Sequence, residues 1–195
     1  NLINRDSFLL NELHGGLWHS THPERFRGIL RSGAILPEPD MPDSDRWKTS
    51  RGRDFYPYVR FIGGVSLFDF HQFEPQSYQA AYQLSNWHDF IPYRKDWSGA
   101  VWIEIDRQQM LSKFISGDDL LGRWKLEKAH RHTLMPRIEA AFLGPLSKSA
   151  FARALFVHSG SNEAHELELQ GFDLRAYAVL LSGWRAACQA PAPTK

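Results

Sequence analysis

The order in which strand-like and helix-like runs follow one another constrains this chain more than any single motif. Arg5 to Leu13 carries Phe8, Leu9 and Leu13 on one side and reads as a short amphipathic helix. Gly15 and Gly16 break it. Leu17-Trp18-His19-Ser20-Thr21 then reads as a strand, because aromatic and β-branched side chains suit a half-buried pleated surface. Pro23 opens a helix capped by Thr21 or His22, with Phe26, Ile29 and Leu30 at helical spacing and Gly33 as its stop. Ala34-Ile35-Leu36 leaves as a short strand. Pro39 to Pro57 is polar, turn-rich and too long for an ordinary connection, a length typical of functional lids or of disordered segments. Tyr58 to Phe61 and Gly64 to Phe70 read as strands, and Gln76 to Asn86 as a helix. Ala100 to Ile105 is the clearest strand in the chain. Asp106 is expected to cap a helix through Met110, Leu111, Phe114 and Ile115, and Asp118 to open another through Leu121 and Trp124. Ile138 to Leu143 and Leu155 to His158 read as strands, and Leu167 to Ala187 ends the chain in one or two helical turns. Strands and helices do not strictly alternate, so a doubly wound parallel sheet is disfavoured and an α+β core with a mixed or antiparallel sheet is expected.

A chain of 195 residues is expected to form one domain, here 1–188, followed by an Ala/Pro-rich disordered tail, 189–195. At this size a domain buries roughly 70% of the surface its unfolded chain exposes, so it folds without disulfide staples. The single cysteine, Cys188, cannot form an internal disulfide and gives no support to an oxidising compartment. No apolar run approaches the ~18 residues of a membrane span, and no signal sequence opens the chain. A cytoplasmic protein with no membrane partner is expected, and a start at Asn1 rather than Met leaves room for an upstream segment. A net charge of +1 announces neither a nucleic acid nor an acidic excess. Charge is uneven, however, with Lys and Arg recurring between Arg46 and Arg60 and between Arg123 and Arg137. There is no glycine-rich phosphate loop, no serine nucleophile elbow and no paired-cysteine zinc pattern. His130 and His132 flank Arg131 and point to different faces of a helix, while His19 and His22 would need outside ligands, so no metal is expected.

Three segments stand out together. The first is Leu17-Trp18-His19-Ser20-Thr21, with the helix after it and Ile29-Leu30-Arg31-Ser32-Gly33-Ala34-Ile35. The second is Gly63-Gly64-Val65-Ser66-Leu67-Phe68-Asp69-Phe70. The third is Met135-Pro136-Arg137-Ile138-Glu139-Ala140-Ala141-Phe142. In their order and rough spacing the chain resembles the ADP-ribosyltransferase superfamily, most of all the compact intracellular branches that contain DNA-modifying toxins and RNA 2′-phosphotransferases. Those families open with a strand carrying a His-x-Thr-like element, followed by a short helix and an Ile-Leu-x-x-Gly-x-Ile/Leu turn. A middle strand then carries Ser-Leu or an aromatic segment, and a late strand presents a Glu. The resemblance spans Gly16 to Ser159, with a gap over residues 71–99.

This resemblance implies an ADP-ribosyltransferase-like split sheet around a cleft with flanking helices, and NAD as the substrate whose ADP-ribose is transferred. It implies Glu139 as the catalytic carboxylate, His19 on the ribose hydroxyls with Thr21 beside it, and Ser66 and Phe68 on the middle strand. Phe68, Phe70 or Tyr56 would stack on nicotinamide, and Arg60, Arg51 or Arg53 would hold the diphosphate through a guanidinium fork. The polar loop from Pro39 to Pro57 would be a substrate-facing lid. The acceptor would be a nucleic acid, a small molecule or a protein, and a toxin role with an antitoxin partner follows by resemblance alone. The chain departs from the family's pattern in two places. Its second motif is Val-Ser-Leu-Phe-Asp-Phe, and Arg137 stands where the arginine-modifying branch has the first residue of its Gln/Glu-x-Glu pair. Two alternatives stay open: a metal-independent ribonuclease with Glu139 as base, His19 as acid and an arginine on the phosphate, and a non-catalytic interaction module. On structural grounds alone, His19 would be a satisfied core histidine, and Glu139 and Ser66 would face solvent on their strands.

Overall fold

The computed structural model describes residues 5–190 apart from positions 50, 110, 111 and 162. Helix α1, Arg5–Phe8, continues in a wider turn, Leu9–Leu13. The Leu13 carbonyl accepts a hydrogen bond from Trp18 Nε1 at 2.9 Å, which ties this entry segment to strand β1, Leu17–Thr21. Helix α2, Pro23–Ser32, is capped by His22, whose Nδ1 accepts from the Glu24 N–H at 3.2 Å. Gly33 ends it at φ +71°, a left-handed conformation in which a Cβ would be strained. Strand β2 is Ala34–Ile35. Beyond the polar loop come α3 (Tyr58–Phe61), β3 (Gly64–Asp69), α4 (Pro75–Ala81), β4 (Gly99–Ile105) and β5 (Phe114–Ile115). The chain then runs through α5 (Gly117–Leu126), β6 (Glu139–Leu143), β7 (Leu146–Ser147), β8 (Phe151–His158), β9 (His165–Leu167) and α6 (Leu174–Gln189).

Seven strands form one sheet in the order β5-β6-β3-β1-β4-β8-β9, and β2 pairs with β7 apart from it. Every recorded pairing is antiparallel, so the described strands make an α+β fold of the antiparallel rather than the mixed kind. Strand β4 is buried along its length except at Glu104 because both its faces are covered. Val101, Ile103 and Ile105 meet a layer that includes Phe26 of α2 and Tyr177, Leu181 and Trp184 of α6. Ala100 and Trp102 meet an aromatic layer that includes Trp18, Phe68, Phe70, Trp87 and Phe90. Much of the chain's aromatic content is spent on these two layers. Large rings supply buried area on a sheet face that short side chains would leave open.

Several expected elements differ. Tyr58–Phe61 is a helix, not a strand. Four residues, three of them aromatic or β-branched, carry no period of their own, and Pro57 ahead of them, with the Tyr58 N–H donating to the Thr133 carbonyl at 2.8 Å, fixes a helical turn. Phe114 and Ile115 are a strand paired with Phe142 and Ala141, not a helix. Asp106 caps only a single tight turn, its Oδ1 accepting from the Gln108 N–H at 2.9 Å, while Met110 and Leu111 lie outside the described residues. Helix α5 starts one residue before Asp118 and is capped by Ser116, whose hydroxyl accepts from the Asp119 N–H at 3.2 Å. Helix α4 stops at Ala81 rather than Asn86. Helix α6 is sixteen residues long, far more than two turns, and runs through Gln189, past the expected limit at 188. Residues 191–195 of the expected tail lie outside the described residues.

Candidate functional site

Strand β1 is paired unequally on its two sides. Toward β4 the ladder covers Trp18 to Thr21, whereas toward β3 it covers only Leu17↔Asp69 and Trp18↔Phe68. Strand β3 stays paired with β6 from Gly64 to Phe68, so β1 and β3 part beyond Trp18. The His19 ring takes up the space, its Nδ1 lying 3.0 Å from the Ser66 carbonyl oxygen. A carbonyl only accepts, so Nδ1 carries the proton and Nε2 of the neutral ring is an acceptor. Burial pushes the His19 pKa down, more than the Ser66 bond raises it, which favours that neutral ring.

Glu139 is the first residue of β6. The register Phe68↔Glu139 and Ser66↔Ala141 puts the side chains of Ser66, Phe68 and Glu139 on one face. Ser66 Oγ donates to Glu139 Oε1 at 2.7 Å, and the Met135 N–H donates to Oε2 at 2.9 Å. The carboxyl is therefore held at both oxygens. It is also 5% exposed, not a solvated group on an outer face. Burial pushes its pKa up, opposed by the Met135 and Ser66 hydrogen bonds and by the charge of Lys48.

The turn before Glu139 sets this geometry. The Ile138 N–H donates to the Pro136 carbonyl at 2.7 Å and the Glu139 N–H to the Met135 carbonyl at 3.0 Å, with Arg137 at φ +63° between them. Helix α5 braces the turn by direct approach. A Cβ on Gly117 would stand 1.8 Å from the Arg137 carbonyl oxygen, so the contact admits only glycine.

A cavity of about 560 Å³ opens where β1 and β3 part, and His19, Thr21, Arg60, Ser66, Phe68 and Glu139 all line it. These are the six site residues expected from the sequence. Thr21 is buried at the end of β1, and Phe68 belongs to the aromatic layer, 5.3 Å from Trp102 and 5.4 Å from Phe90 between ring centroids. Of the other candidates, Phe70 is fully buried in that layer and does not line the cavity. Tyr56 lies 3.7 Å under the Arg60 guanidinium and donates its hydroxyl hydrogen bond to Asp43. Arg51 and Arg53 are exposed and outside the lining.

The polar loop forms a wall of the cavity, braced by ion pairs. Glu38 accepts from Arg60 Nε at 2.7 Å and Nη2 at 3.0 Å and from Arg46 Nη1 at 2.6 Å. Asp43 accepts from Arg60 Nη2 at 2.9 Å, and the two carboxylates push the Arg60 pKa up. Arg46 Nη2 donates to the Pro39 carbonyl at 2.6 Å.

Four buried side-chain polar atoms among the described residues have no hydrogen-bond partner. Ser20 Oγ, Arg46 Nε and Arg60 Nη1, three of those four, belong to residues that line this cavity. Orphaned polar atoms are rare in folded proteins, and each calls for a partner such as water, an ion or a ligand. The sequence did not single out Ser20 as a site residue, since a serine between two expected site residues carries no signal of its own. Nor did it single out Arg25 or Arg94, which reach the cavity from α2 and from the segment before β4. Among the described residues no group of three or more His, Cys, Asp or Glu is placed to hold a metal, and no helix is long and apolar enough to cross a membrane.

No protein-family model and no curated protein matches the sequence. Among solved structures, the chain is similar to a double mutant of heat-labile enterotoxin at 18% identity and TM-score 0.41, over 90% of this chain and 73% of that one. A second heat-labile enterotoxin mutant, described as having a flexible active-site loop in its A subunit, matches at 17% identity and TM-score 0.37, over 91% and 90% of the two chains. Likenesses this faint carry no assignment, and the function rests on the site itself.

Proposed function

We propose that this chain is an NAD-cleaving ADP-ribosyltransferase in which His19 and Glu139 act on the ribose next to nicotinamide. The observation that carries this reading is that both are tied to Ser66 where β1 and β3 part, His19 through the Ser66 carbonyl and Glu139 through its hydroxyl. Breaking the nicotinamide–ribose bond builds positive charge on the ribose, as in glycoside hydrolysis. A carboxylate fixed in advance by two donors in a buried site opposes that charge without reorganising. The bond's electron pair leaves with nicotinamide, the acceptor forms a new bond to the same ribose carbon, and the acceptor's proton passes to Glu139. His19 Nε2 accepts a hydrogen bond from a ribose hydroxyl. Thr21 and Phe68 complete the wall on that side. The orphaned donors Arg46 Nε and Arg60 Nη1 suit the oxygens of a diphosphate, because guanidinium N–H groups bond phosphate with charge assistance. Arg60 is thus favoured over Arg51 and Arg53, with Arg46 as its companion.

Burial favours the neutral form of Glu139, whereas this role needs the carboxylate. Turnover is therefore expected to rise with pH through a pKa above the ordinary 4.5. A calorimetric titration of the protein with NAD tests the reading. The wild type binds saturably and His19→Ala binds about tenfold more weakly, the loss of about 1.4 kcal/mol expected for one hydrogen bond of this kind. Absence of binding at millimolar NAD would overturn it, and metal-independent RNA cleavage would then be the activity to assay.

A further inference from the structure

His22 joins β1 to α2 and does there what a serine or aspartate usually does at a helix start. The Glu24 N–H donates to its Nδ1 at 3.2 Å, and its carbonyl accepts from the N–H groups of Arg25 at 2.9 Å and Phe26 at 3.3 Å. An N–H only donates, so Nδ1 carries no proton and the ring is neutral, its proton on Nε2. The same ring meets two indoles at near right angles, with centroids 5.5 Å away at Trp97 and 5.3 Å at Trp184. Trp184 belongs to α6, and its Nε1 donates to the Ser98 carbonyl at 3.0 Å, next to Trp97. One imidazole therefore ties together the start of α2, the segment before β4 and α6.

This junction stands behind one wall of the cavity. Glu24, Arg25, Gly28, Ile29 and Ser32 line the cavity from α2, and Trp97 lines it from the segment before β4, whereas His22 itself does not. Arg25 extends the wall, its Nη2 donating to the Asp45 carbonyl of the polar loop at 3.0 Å. Charges of both signs surround the His22 ring, with Glu24 and Arg25 on α2 and Arg94 and Asp96 before β4. On α6, Arg185 is spent on Glu24, its Nε donating at 2.8 Å. Burial is the largest influence on His22, and with Arg25 and Arg94 it outweighs the upward pull of Glu24 and Asp96, so the pKa lies below 6.5.

A cationic ring keeps no acceptor. Its Nδ1–H would face the Glu24 N–H, and α2 would lose its cap. We infer that His22 is a positioning residue whose neutral ring holds the α2 wall of the cavity in place, and that its protonation frees this wall and weakens ligand binding in acid. That the ligand is NAD rests on the transferase reading; the acid release of α2 does not. Because the folded pKa is lowered, the stability that His22 contributes is full above pH 6.5 and is lost as pH falls from there through the lowered value.

Two variants separate the cap from the charge. His22→Asn keeps a capping oxygen and does not titrate, and His22→Ala has no cap at any pH. The first readout needs no NAD: hydrogen exchange at the Glu24, Arg25 and Phe26 amides, corrected for the intrinsic rate. From above pH 6.5 to about pH 5 the wild type should lose about fivefold in protection, the loss of one cap, and His22→Asn should keep it. Calorimetric Kd for NAD should weaken several-fold more in the wild type than in His22→Asn over the same range, a difference from which the share of His19, present in both, cancels. In turnover the difference should fall in kcat/KM, while kcat, set at Glu139, follows one pH curve in both proteins. His22→Ala should bind NAD several-fold more weakly even above pH 6.5; if it does not fold, wild type against His22→Asn decides alone. Equal acid sensitivity of α2 exchange in those two proteins, or undiminished binding by His22→Ala, would overturn the inference. Acid loss of α2 protection in a protein that never binds NAD would sink the transferase reading and leave this device standing. NAD binding with α2 protection unchanged in acid would sink this inference alone.

Discussion

The two flanks of β1 are built from the same five residues and do opposite things. On the β4 side, Trp18 to Thr21 are paired in register, and β4 is itself paired to β8 from Gly99 to Ile105. Backbone donors and acceptors there are satisfied by the ladder, and rings such as Trp102 fill both faces. On the β3 side, two pairs are made and the strands then part. Side chains finish what the ladder leaves, with His19 on the Ser66 carbonyl and Ser66 on Glu139. They do not finish everything, since Ser20 Oγ is left without a partner. Regular pairing consumes polar groups, and a strand can present them to a ligand only where pairing stops. The contrast makes separable predictions, in which the paired flank governs stability and the parted flank governs chemistry.

The largest expected effect is on the paired flank. Trp102 is fully buried, so Trp102→Ala should cost about 3–5 kcal/mol in urea unfolding. A loss under about 1 kcal/mol would break the contrast. On the parted flank, Glu139→Gln should lower nicotinamide release about 10²–10³-fold, the usual loss on removing one fixed electrostatic group. The fold should survive, because the amide keeps one acceptor for Ser66 or Met135. Gly117→Ala drives a Cβ against the Arg137 carbonyl, and overpacking of this kind costs about 1–3 kcal/mol. It should also displace the turn before Glu139 and slow release, and an unchanged rate would show that α5 does not position the carboxylate. Ser66→Ala should cost about 1 kcal/mol for the lost hydrogen bond. That bond lowers the Glu139 pKa, so the variant's pH–rate profile should shift its acid limb upward. A downward shift would contradict the assigned donor.

The smallest effect is a pH dependence of stability. The folded pKa of His19 is lowered below 6.5, so the unfolded chain takes up its proton first as the solution is acidified. The His19 contribution is full above pH 6.5 and is lost as pH falls from there through the lowered value. Glu139 acts in the other direction. Its folded pKa is raised above 4.5, so its contribution is present below 4.5 and is lost as pH rises through the raised value. Urea midpoints of the wild type and His19→Asn should therefore diverge below pH 6.5, the wild type losing more on acidification. Parallel curves would show that His19 is not buried in its neutral form.

Much of the paired flank was legible in the sequence. Ala100 to Ile105 reads as a strand because its run is apolar on both faces, and Gly33 reads as a helix stop because the left-handed position calls for glycine. Short runs were not legible. Tyr58–Phe61 and Phe114–Ile115 are too brief to carry a period, and their states are set by the Thr133 carbonyl and by β6, both remote in sequence. The six expected site residues reached one cavity, but the bonds that define it were invisible, since Ser66 meets Glu139 across seventy-three residues. Arg25 and Arg94 were hidden for the same reason, and Arg94 lies in the 71–99 stretch that no motif covered. The polar loop was expected to be a lid because of its length. Glu38 and Asp43, whose pairing to Arg46 and Arg60 makes it a wall, look in sequence like any acidic loop residues.

The most direct test of the central claim is the rate of nicotinamide release from NAD by the wild type and by Glu139→Gln, with both shown to be equally folded. Steady release by the wild type, reduced at least a hundredfold in the variant, is what a carboxylate held at the parted strands predicts. Equal rates in the two proteins, or no release from either at saturating NAD, would contradict it.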